Sequence, residues 1–254
     1  MDYDIAALMS PPDYKLFKRV LCVQPHPDDN EIGMGGTIAV LAGLGCEVHY
    51  LNVTKGDQGN NDQTATPTQT AKTRMRETEL AGRHLGAAHF HYLAHGDGIL
   101  GSTLHNVHAL SIEIASVIRQ VQPDAVFCPD PSLPYEGHLD HIVTGHAVAN
   151  AFQMSGRKSI GDMPATKPCN VQAIGYYFTA NPNTVVDITD VFERKFEAIA
   201  MHESQMDAQT LQLYRVYFGM KGQELAAGKG FALGEGLRLL SRLHTHCFVD
   251  AMRV

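Results

Sequence analysis

The sequence predicts an α/β protein: a Rossmann-like, mostly parallel sheet with helices on both faces, followed by a helical C-terminal portion. Over the first two-thirds of the chain, short apolar runs alternate with amphipathic stretches, the βαβ pattern of a sheet covered by helices. The first such run, RVLCVQ at 19–24, is rich in strand formers and short enough for a buried strand. At 254 residues, 44% of them hydrophobic, the chain is near the upper size for a single core, and no internal repeat or low-complexity tract divides it. One domain is therefore expected over 1–254, with a core over about 19–206 and a helical extension over about 207–254.

After the first strand, Met34, Ile38, Leu41 and Gly45 fall on one helical face, so a helix is expected over about 31–44. Residues 46–53 (CEVHYLNV) read as the second strand, and 56–71 (GDQGNNDQTATPTQTA) as a polar, turn-rich loop. A helix over about 72–85 stops at Gly86, a third strand lies near 89–93, a helix covers 105–121, and a fourth strand lies at 125–128. The proline-rich PDPSLP of 129–134 leads into a helix over about 140–153, with a loop over 155–170 and strands near 173–179 and 184–188. From about 190 onward the pattern is mostly helical, with a glycine-punctuated break at 228–236.

Composition excludes several classes of function. Twenty Lys and Arg against 27 Asp and Glu leave a net charge of −7, without long basic runs, which argues against a nucleic-acid partner. Nothing approaches the apolar length of a membrane span, and residues 1–18 open with acidic residues and lack the apolar core of a secretory signal. The 5 cysteines (22, 46, 128, 169 and 247) are scattered, with no CxxC pair, as expected of reduced thiols in a cytoplasm.

The informative segment is Pro25-His26-Pro27-Asp28-Asp29-Asn30-Glu31, which packs one imidazole and three carboxylates between a buried strand and a helix. In open α/β sheets, ligands sit outside the carboxyl ends of the strands, so the position suits chemistry. One Asp would suffice to cap the helix, whereas two adjacent Asp repel unless a cation or donor holds them. A second motif, His138-Leu139-Asp140-His141, follows the fourth strand. An HxxH pair alone is a weak signal, but its placement at another strand end lets His26, Asp29 and His141 surround one ion. Two His and one carboxylate, with positions left for water, is a catalytic ligand set; zinc is the default metal and iron(II) suits the same ligands.

These motifs resemble the LmbE-like, or PIG-L-like, metal-dependent de-N-acetylases. The family's marker is PHPDD at the end of the first strand, often with an acidic residue soon after, and a later H-x-D-H element. Here they stand as Pro25 to Asp29 with Glu31, and His138 to His141. Further matches are Gly35-Gly36-Thr37, Arg74-x-x-Glu77, Leu85-Gly86, Asp97-Gly98, Asp124 and Asp130-Pro131. The likeness is strong over about 19–150 and looser over 185–206, and it departs at Leu139, where the family usually has Pro. The resemblance implies a hydrolase that removes acetyl from an N-acetylglucosamine-type sugar or small glycoconjugate, with one divalent metal per chain held by His26, Asp29 and His141. It implies Asp28 as general base, His138 stabilising the oxyanion and protonating the leaving amine, and Asp140 holding His138 in its protonated orientation. It also implies a homo-oligomer, a trimer or hexamer, for which Leu237, Leu239, Leu240, Leu243 and Phe248 offer apolar surface.

Three substrate-binding residues are expected. Arg74 is a clamp for a substrate hydroxyl or acetate, against a surface ion pair with Glu77 or Glu79. Asp97, in a His-Gly-Asp-Gly turn, binds sugar hydroxyls or merely forms the turn. Tyr135 is the best-placed aromatic in a chain with no Trp, and that lack favours a small ligand held by polar contacts over a long polysaccharide. His89, His91 and His95, the helical pair His105 and His108, and the unplaced His244 and His246 are read as structural or surface residues. A nucleotide-binding oxidoreductase, prompted by Gly33-Met34-Gly35-Gly36, fails because eight residues (25–32) separate strand from glycine and no ribose-binding acid ends the second strand. An inactive sugar- or metal-binding module is opposed by the intact Asp28, and an amidase acting on a sugar–amino acid conjugate stays open.

Overall fold

A computed structural model describes residues 9–100, 107–159 and 166–253. Its centre is a seven-stranded sheet built from β1 (Arg19–Gln24), β2 (Glu47–Thr54), β3 (Ala87–His95), β4 (Ala125–Pro129), β5 (Ala173–Tyr177), β6 (Thr184–Asp187) and β7 (Gly234–Ser241). The strand order is β3-β2-β1-β4-β5-β7-β6; β1 to β5 pair in parallel, and β7 runs antiparallel to both β5 and β6. Six α-helices are found among the described residues: α1 (Asp29–Gly43), α2 (Pro67–Leu85), α3 (Val107–Val121), α4 (Leu139–Met154), α5 (Phe192–Ala200) and α6 (Ala208–Ala226). The mostly parallel, helix-covered sheet is the expected one.

Alternation along the strands divides the core in two. Val20, Cys22, Val48, Tyr50, Phe127 and Tyr177 face α1, α2 and α5 through Met34, Ile38, Leu85 and Phe196. Leu21, Val23, Leu51, Val126 and Ile174 face α3 and α4 through Ile114, Ile118, Val143, Ala147 and Phe152. Both strand faces are therefore apolar, which is why these strands read as unbroken hydrophobic runs. Chain order reverses between β1 and β4, which are paired neighbours. Their carboxyl ends open side by side, the crevice where sheets of this type bind ligands.

Two regions differ from expectation. Helix α2 begins at Pro67 inside the expected loop, because Thr66 and Gln69 form a reciprocal cap and Pro67 suits the first turn. It ends at Gly86, whose φ of +106° needs a residue without a Cβ. The C-terminal portion is α-helical over Ala208–Ala226 and ends in a short 3-10 helix over Val249–Arg253, but Gly234–Ser241 is a strand inserted between β5 and β6. Leu237 and Leu239 of that strand are fully buried and Leu240 packs on the opposite core. A strand buried on both faces lacks the period-2 signal that would separate it from a helix. Leu237 and Leu239 are therefore core and offer no surface for association, whereas Leu240 and Leu243 are half-buried and Phe248 is exposed. His244 is buried, with its ring between the Ser241 amide and the Met9 carbonyl, while His246 is exposed. His105 and part of the expected 155–170 loop lie outside the described residues.

Helix α1 is broken at Met34 (φ −145°, ψ 23°), and the break is held by a buried ion pair. In a regular helix the Gly36 amide would donate to the Ile32 carbonyl. Here the amides of Gly36 and Thr37 donate to the Glu235 carboxylate at 3.3 and 2.6 Å, and Ile32 accepts from Lys195 Nζ at 2.8 Å. Lys195 and Glu235 also pair at 2.6 Å, joining α1, α5 and β7. Gly36 lets α1 pack closely on Ile188, since a Cβ there would lie 2.6 Å from that side chain. The GMGG glycines thus serve helix packing. Replacing Lys195 by Met leaves Glu235 as a buried, unbalanced charge, a loss of about 3–5 kcal/mol; chemical denaturation is expected to read it as a lower midpoint with little change in slope.

Candidate active site

The site forms where β1 and β4 end. Pro25 closes β1 and is tied to β2 by the Thr54 amide and hydroxyl at 2.9 and 2.7 Å. Asn30 donates from its amide to Gln24 Oε1 and from its side chain to the Cys22 carbonyl, folding the PHPDD turn back over the strand end. Asp28 caps α1 at a φ of +125°, which is strained for a residue with a Cβ. Arg74, buried on α2, holds that turn: its guanidinium donates to the Pro27 carbonyl at 2.7 Å, the Gly56 carbonyl at 3.1 Å and Asp28 Oδ2 at 3.3 Å. Arg74 is therefore no surface ion pair: both terminal nitrogens bond to the protein, while its buried Nε has no partner among the described residues.

Around this turn lie His26, Asp29 and His141. Asp29 Oδ2 is 3.3 Å from His26 Nδ1, and Asp29 Oδ1 is 3.2 Å from His141 Nε2. One donor atom from each of the three lies within 4.8 Å of the others. His26 Nε2 also faces Asp97 Oδ1 and Asp140 Oδ2, each at 3.2 Å. His141 Nδ1 is buried without a hydrogen bond, with Glu136 Oε2 3.6 Å away. The donor set fits a divalent ion: carboxylates outnumber the fixed cations, and two imidazoles with a carboxylate form an open borderline set.

The charges show what the cluster demands. Burial opposes a proton on His26, but hydrogen bonds to Asp140, Asp29 and Asp97 outweigh it and push His26 up to about 12. Burial raises Asp29, yet His141 and His26 carry it well below the usual carboxylate range. Asp28 goes the other way: burial, only partly offset by Arg74, pushes it up to about 6. Two adjacent carboxylates are thus set apart by their partners, one firmly ionised and one poised to exchange a proton.

Asp140 lies within 4.8 Å of His138, but no hydrogen bond joins the two. Its Oδ2 accepts from the Gly98 amide at 2.8 Å and its Oδ1 from the Leu100 amide at 3.0 Å, so it pins the turn after β3 against His26. His138 is exposed at the start of α4, its ring centroid 4.4 Å from His26 and 5.1 Å from His141. Burial and the neighbouring His26 and His141 charges push its pKa down, with Asp140 opposing. Asp97 points at His26 and Arg74. Tyr135 has a φ of +67° and is fully exposed, outside the group.

Sequence reasoning missed the aromatic wall. A cavity of about 820 Å³ opens on Asp29 and His141 and is lined by Phe178, Tyr214, Tyr217 and Phe218, with Lys221 and Glu235 behind. Phe178 stacks on His141 at 6.0 Å and follows the carboxyl end of β5, a position the strand-end rule singles out. Tyr214, Tyr217 and Phe218 fall at i, i+3 and i+4 on α6, one stripe readable from spacing alone. Also missed was His202, fully buried with Nε2 3.3 Å from Glu31 Oε2, packed beneath the turn that carries Asp28.

Comparison with known proteins agrees with this site. Residues 21–152 match the PIG-L family, described as GlcNAc-PI de-N-acetylase. The diacetylchitobiose deacetylase of Thermococcus kodakarensis is 36% identical over 96% of this chain and 94% of its own. The crystallised N,N'-diacetylchitobiose deacetylase of Pyrococcus horikoshii superposes with a TM-score of 0.85 at 34% identity, covering 94% of this chain and 90% of that one. A 1D-myo-inositol 2-acetamido-2-deoxy-alpha-D-glucopyranoside deacetylase of Rhodococcus opacus is 26% identical over 74% of this chain and 82% of its own. The chain belongs to the PIG-L family of de-N-acetylases. It is a hydrolase of an amide bond with a His/Asp site able to hold a metal.

Loss of the Asp140 carboxylate should free the turn it pins. In Asp140→Ala, the amides of Gly98 and Leu100 are expected to lose hydrogen-exchange protection while those of β1 keep theirs. Unchanged protection at both would show that the turn is held by other contacts.

Proposed function

We propose that this protein removes the acetyl group from an N-acetylglucosamine-type sugar, a disaccharide such as diacetylchitobiose or a small glycoconjugate. It works with one divalent ion per chain, zinc by default and iron(II) as the alternative. The observation that carries this reading is the grouping of His26, Asp29 and His141 at the cavity of Phe178 and Tyr214, with Asp28 beside it. His26, Asp29 and His141 would hold the ion. When bound, such an ion lowers the pKa of a coordinated water towards about 7 and polarises the amide carbonyl.

The chain's own groups account for the remaining chemistry. Asp28, aimed by its strained backbone and by Arg74, takes the proton from the attacking water. His138, at the mouth of the cluster, faces the carbonyl oxygen as negative charge develops there and returns a proton to the departing amine. The C–N bond breaks to leave acetate and a free amino sugar. Asp140 keeps the Gly98–Leu100 turn, and with it Asp97, against His26. The aromatic wall gives a sugar ring an apolar face to lie on, and about 820 Å³ is room for a small ligand.

Acetate release from N-acetylglucosamine, diacetylchitobiose and N-acetylated glycoconjugates is expected to stop on chelation and return with zinc or iron(II); release that survives full removal of metal overturns the reading. Asp29→Ala and His141→Ala should lose the ion. Asp28→Asn should keep it while kcat falls about 10²–10⁴-fold, because an amide cannot accept the proton. His138→Ala should likewise keep it, with kcat down about 10²–10³-fold. Metal content and kcat measured together decide the roles, and an Asp28→Asn variant that is stripped of metal would reverse the two carboxylates. Tyr214→Ala should raise KM about 2- to 13-fold, as expected for the loss of one aromatic contact of about 0.5–1.5 kcal/mol, and leave kcat nearly unchanged.

The setting proposed is the cytoplasm, supported by five free thiols, four of them buried. Among the described residues no helix is long and apolar enough to cross a membrane. The assembly proposed is a trimer or hexamer, supported by Leu213, Val216, Tyr217 and Met220, exposed on α6 beside the cavity. Light scattering at micromolar concentration is expected to give a multiple of the chain mass; a monomer-sized particle would exclude it.

A further inference from the structure

A second group of imidazoles lies at the other end of the sheet, near the amino terminus of β2. Glu47 and His49 stand on β2, His89 and His91 on the edge strand β3. Val48 pairs with Ala87 and the next residue, His49, pairs with His89, so β3 carries one extra residue at Ala88. Such an irregularity re-aims the side chains that follow it. Strand alternation then places His49, His89 and His91 on one face. Their rings stack, His49 against His89 at 4.4 Å and against His91 at 5.4 Å.

The polar atoms converge on one carboxylate oxygen. Glu47 Oε1 is 3.2 Å from His49 Nε2 and 3.1 Å from His89 Nε2. The other oxygen, Oε2, accepts from Arg19 Nε at 2.7 Å, which fixes the carboxylate's direction. On the far side of its ring, His49 Nδ1 lies 3.1 Å from His91 Nε2.

We propose that Glu47 Oε1, His49 Nε2 and His89 Nε2 form a second divalent-metal site, suited to zinc, with His91 orienting the His49 ring. Zinc bonded tetrahedrally at about 2.0–2.2 Å holds neighbouring ligand atoms about 3.3–3.6 Å apart, close to the spacing of Glu47 Oε1 from both imidazoles. One donor atom from each of the three residues lies within 4.8 Å of the others. A ligating imidazole characteristically has its second nitrogen hydrogen-bonded, which is the part His91 plays. His89 is half exposed, which leaves an entry path and a coordination position for water. None of these residues lines the cavity at the strand ends, so this ion is independent of the one proposed for catalysis.

The test is the number of zinc ions per chain. Untagged protein, stripped with chelator and titrated with zinc, is examined by native mass spectrometry as wild type, His89→Ala and Glu47→Gln. His89 is exposed, so its replacement leaves the fold intact. Each variant is expected to bind one ion fewer than wild type while releasing acetate at the wild-type rate. Asp29→Ala with His89→Ala is expected to bind none. The same ion count in wild type, His89→Ala and Glu47→Gln would overturn the proposal and leave the cluster a hydrogen-bonded stack of imidazoles.

Discussion

Four carboxylates crowd the open end of the sheet, and the site depends on how their mutual repulsion is contained. Two unit charges 4 Å apart repel by about 4 kcal/mol at an effective dielectric near 20. Asp28, Asp29, Asp97 and Asp140 come from the β1–α1 turn, the turn after β3 and the start of α4, so unbalanced repulsion would push those segments apart. Each carboxylate instead has its own counterweight. Arg74 faces Asp28, His141 faces Asp29, His26 sits among Asp29, Asp97 and Asp140, and two backbone amides face Asp140. Because the counterweights differ, chemically identical side chains acquire different proton affinities.

Much of this was legible in the sequence, for reasons that can be named. The buried strands β1, β2 and β4 announce themselves as short apolar runs, and the rule that ligands gather at strand ends locates His26, Asp28, Asp29 and His141 before any coordinates are known. Strand β7 was not legible, because residues buried on both faces carry no alternation. The partners of Asp140 were not legible either. They are backbone amides of Gly98 and Leu100, and an amide has no signature in a sequence. Tyr135 was misleading because nearness in sequence to His138 says nothing about direction, and a positive φ turns that side chain to solvent. The α6 aromatics were legible in spacing but unplaceable without knowing where the helix packs.

The family match spans β1 to α4, and His26, Asp28, Asp29, Arg74, Asp97, His138, Asp140 and His141 all come from that stretch. The wall comes from outside it: Phe178 follows β5, and Tyr214, Tyr217 and Phe218 belong to α6. Chemistry and cavity shape are thus carried by different segments of the chain. The buried Lys195–Glu235 pair couples them, since it ties the helix capped by Asp28 to β7 and α5, against which α6 packs.

The antiparallel β7 also sets an order of events during synthesis. Chains fold largely in the order in which they are made, and strand pairs distant in sequence form late. His26, Asp28, Asp29, Asp140 and His141 have all left the ribosome while β5 still presents a bare edge, because its partner lies at Gly234–Ser241. Strand β6 emerges directly after β5 yet hydrogen-bonds to β7, so it waits for the same eight residues. A nascent chain of this protein can therefore own these site residues while its sheet is unfinished. That interval exposes an unpaired strand edge to other chains, and it closes only when the last strand slides between two that were made long before it.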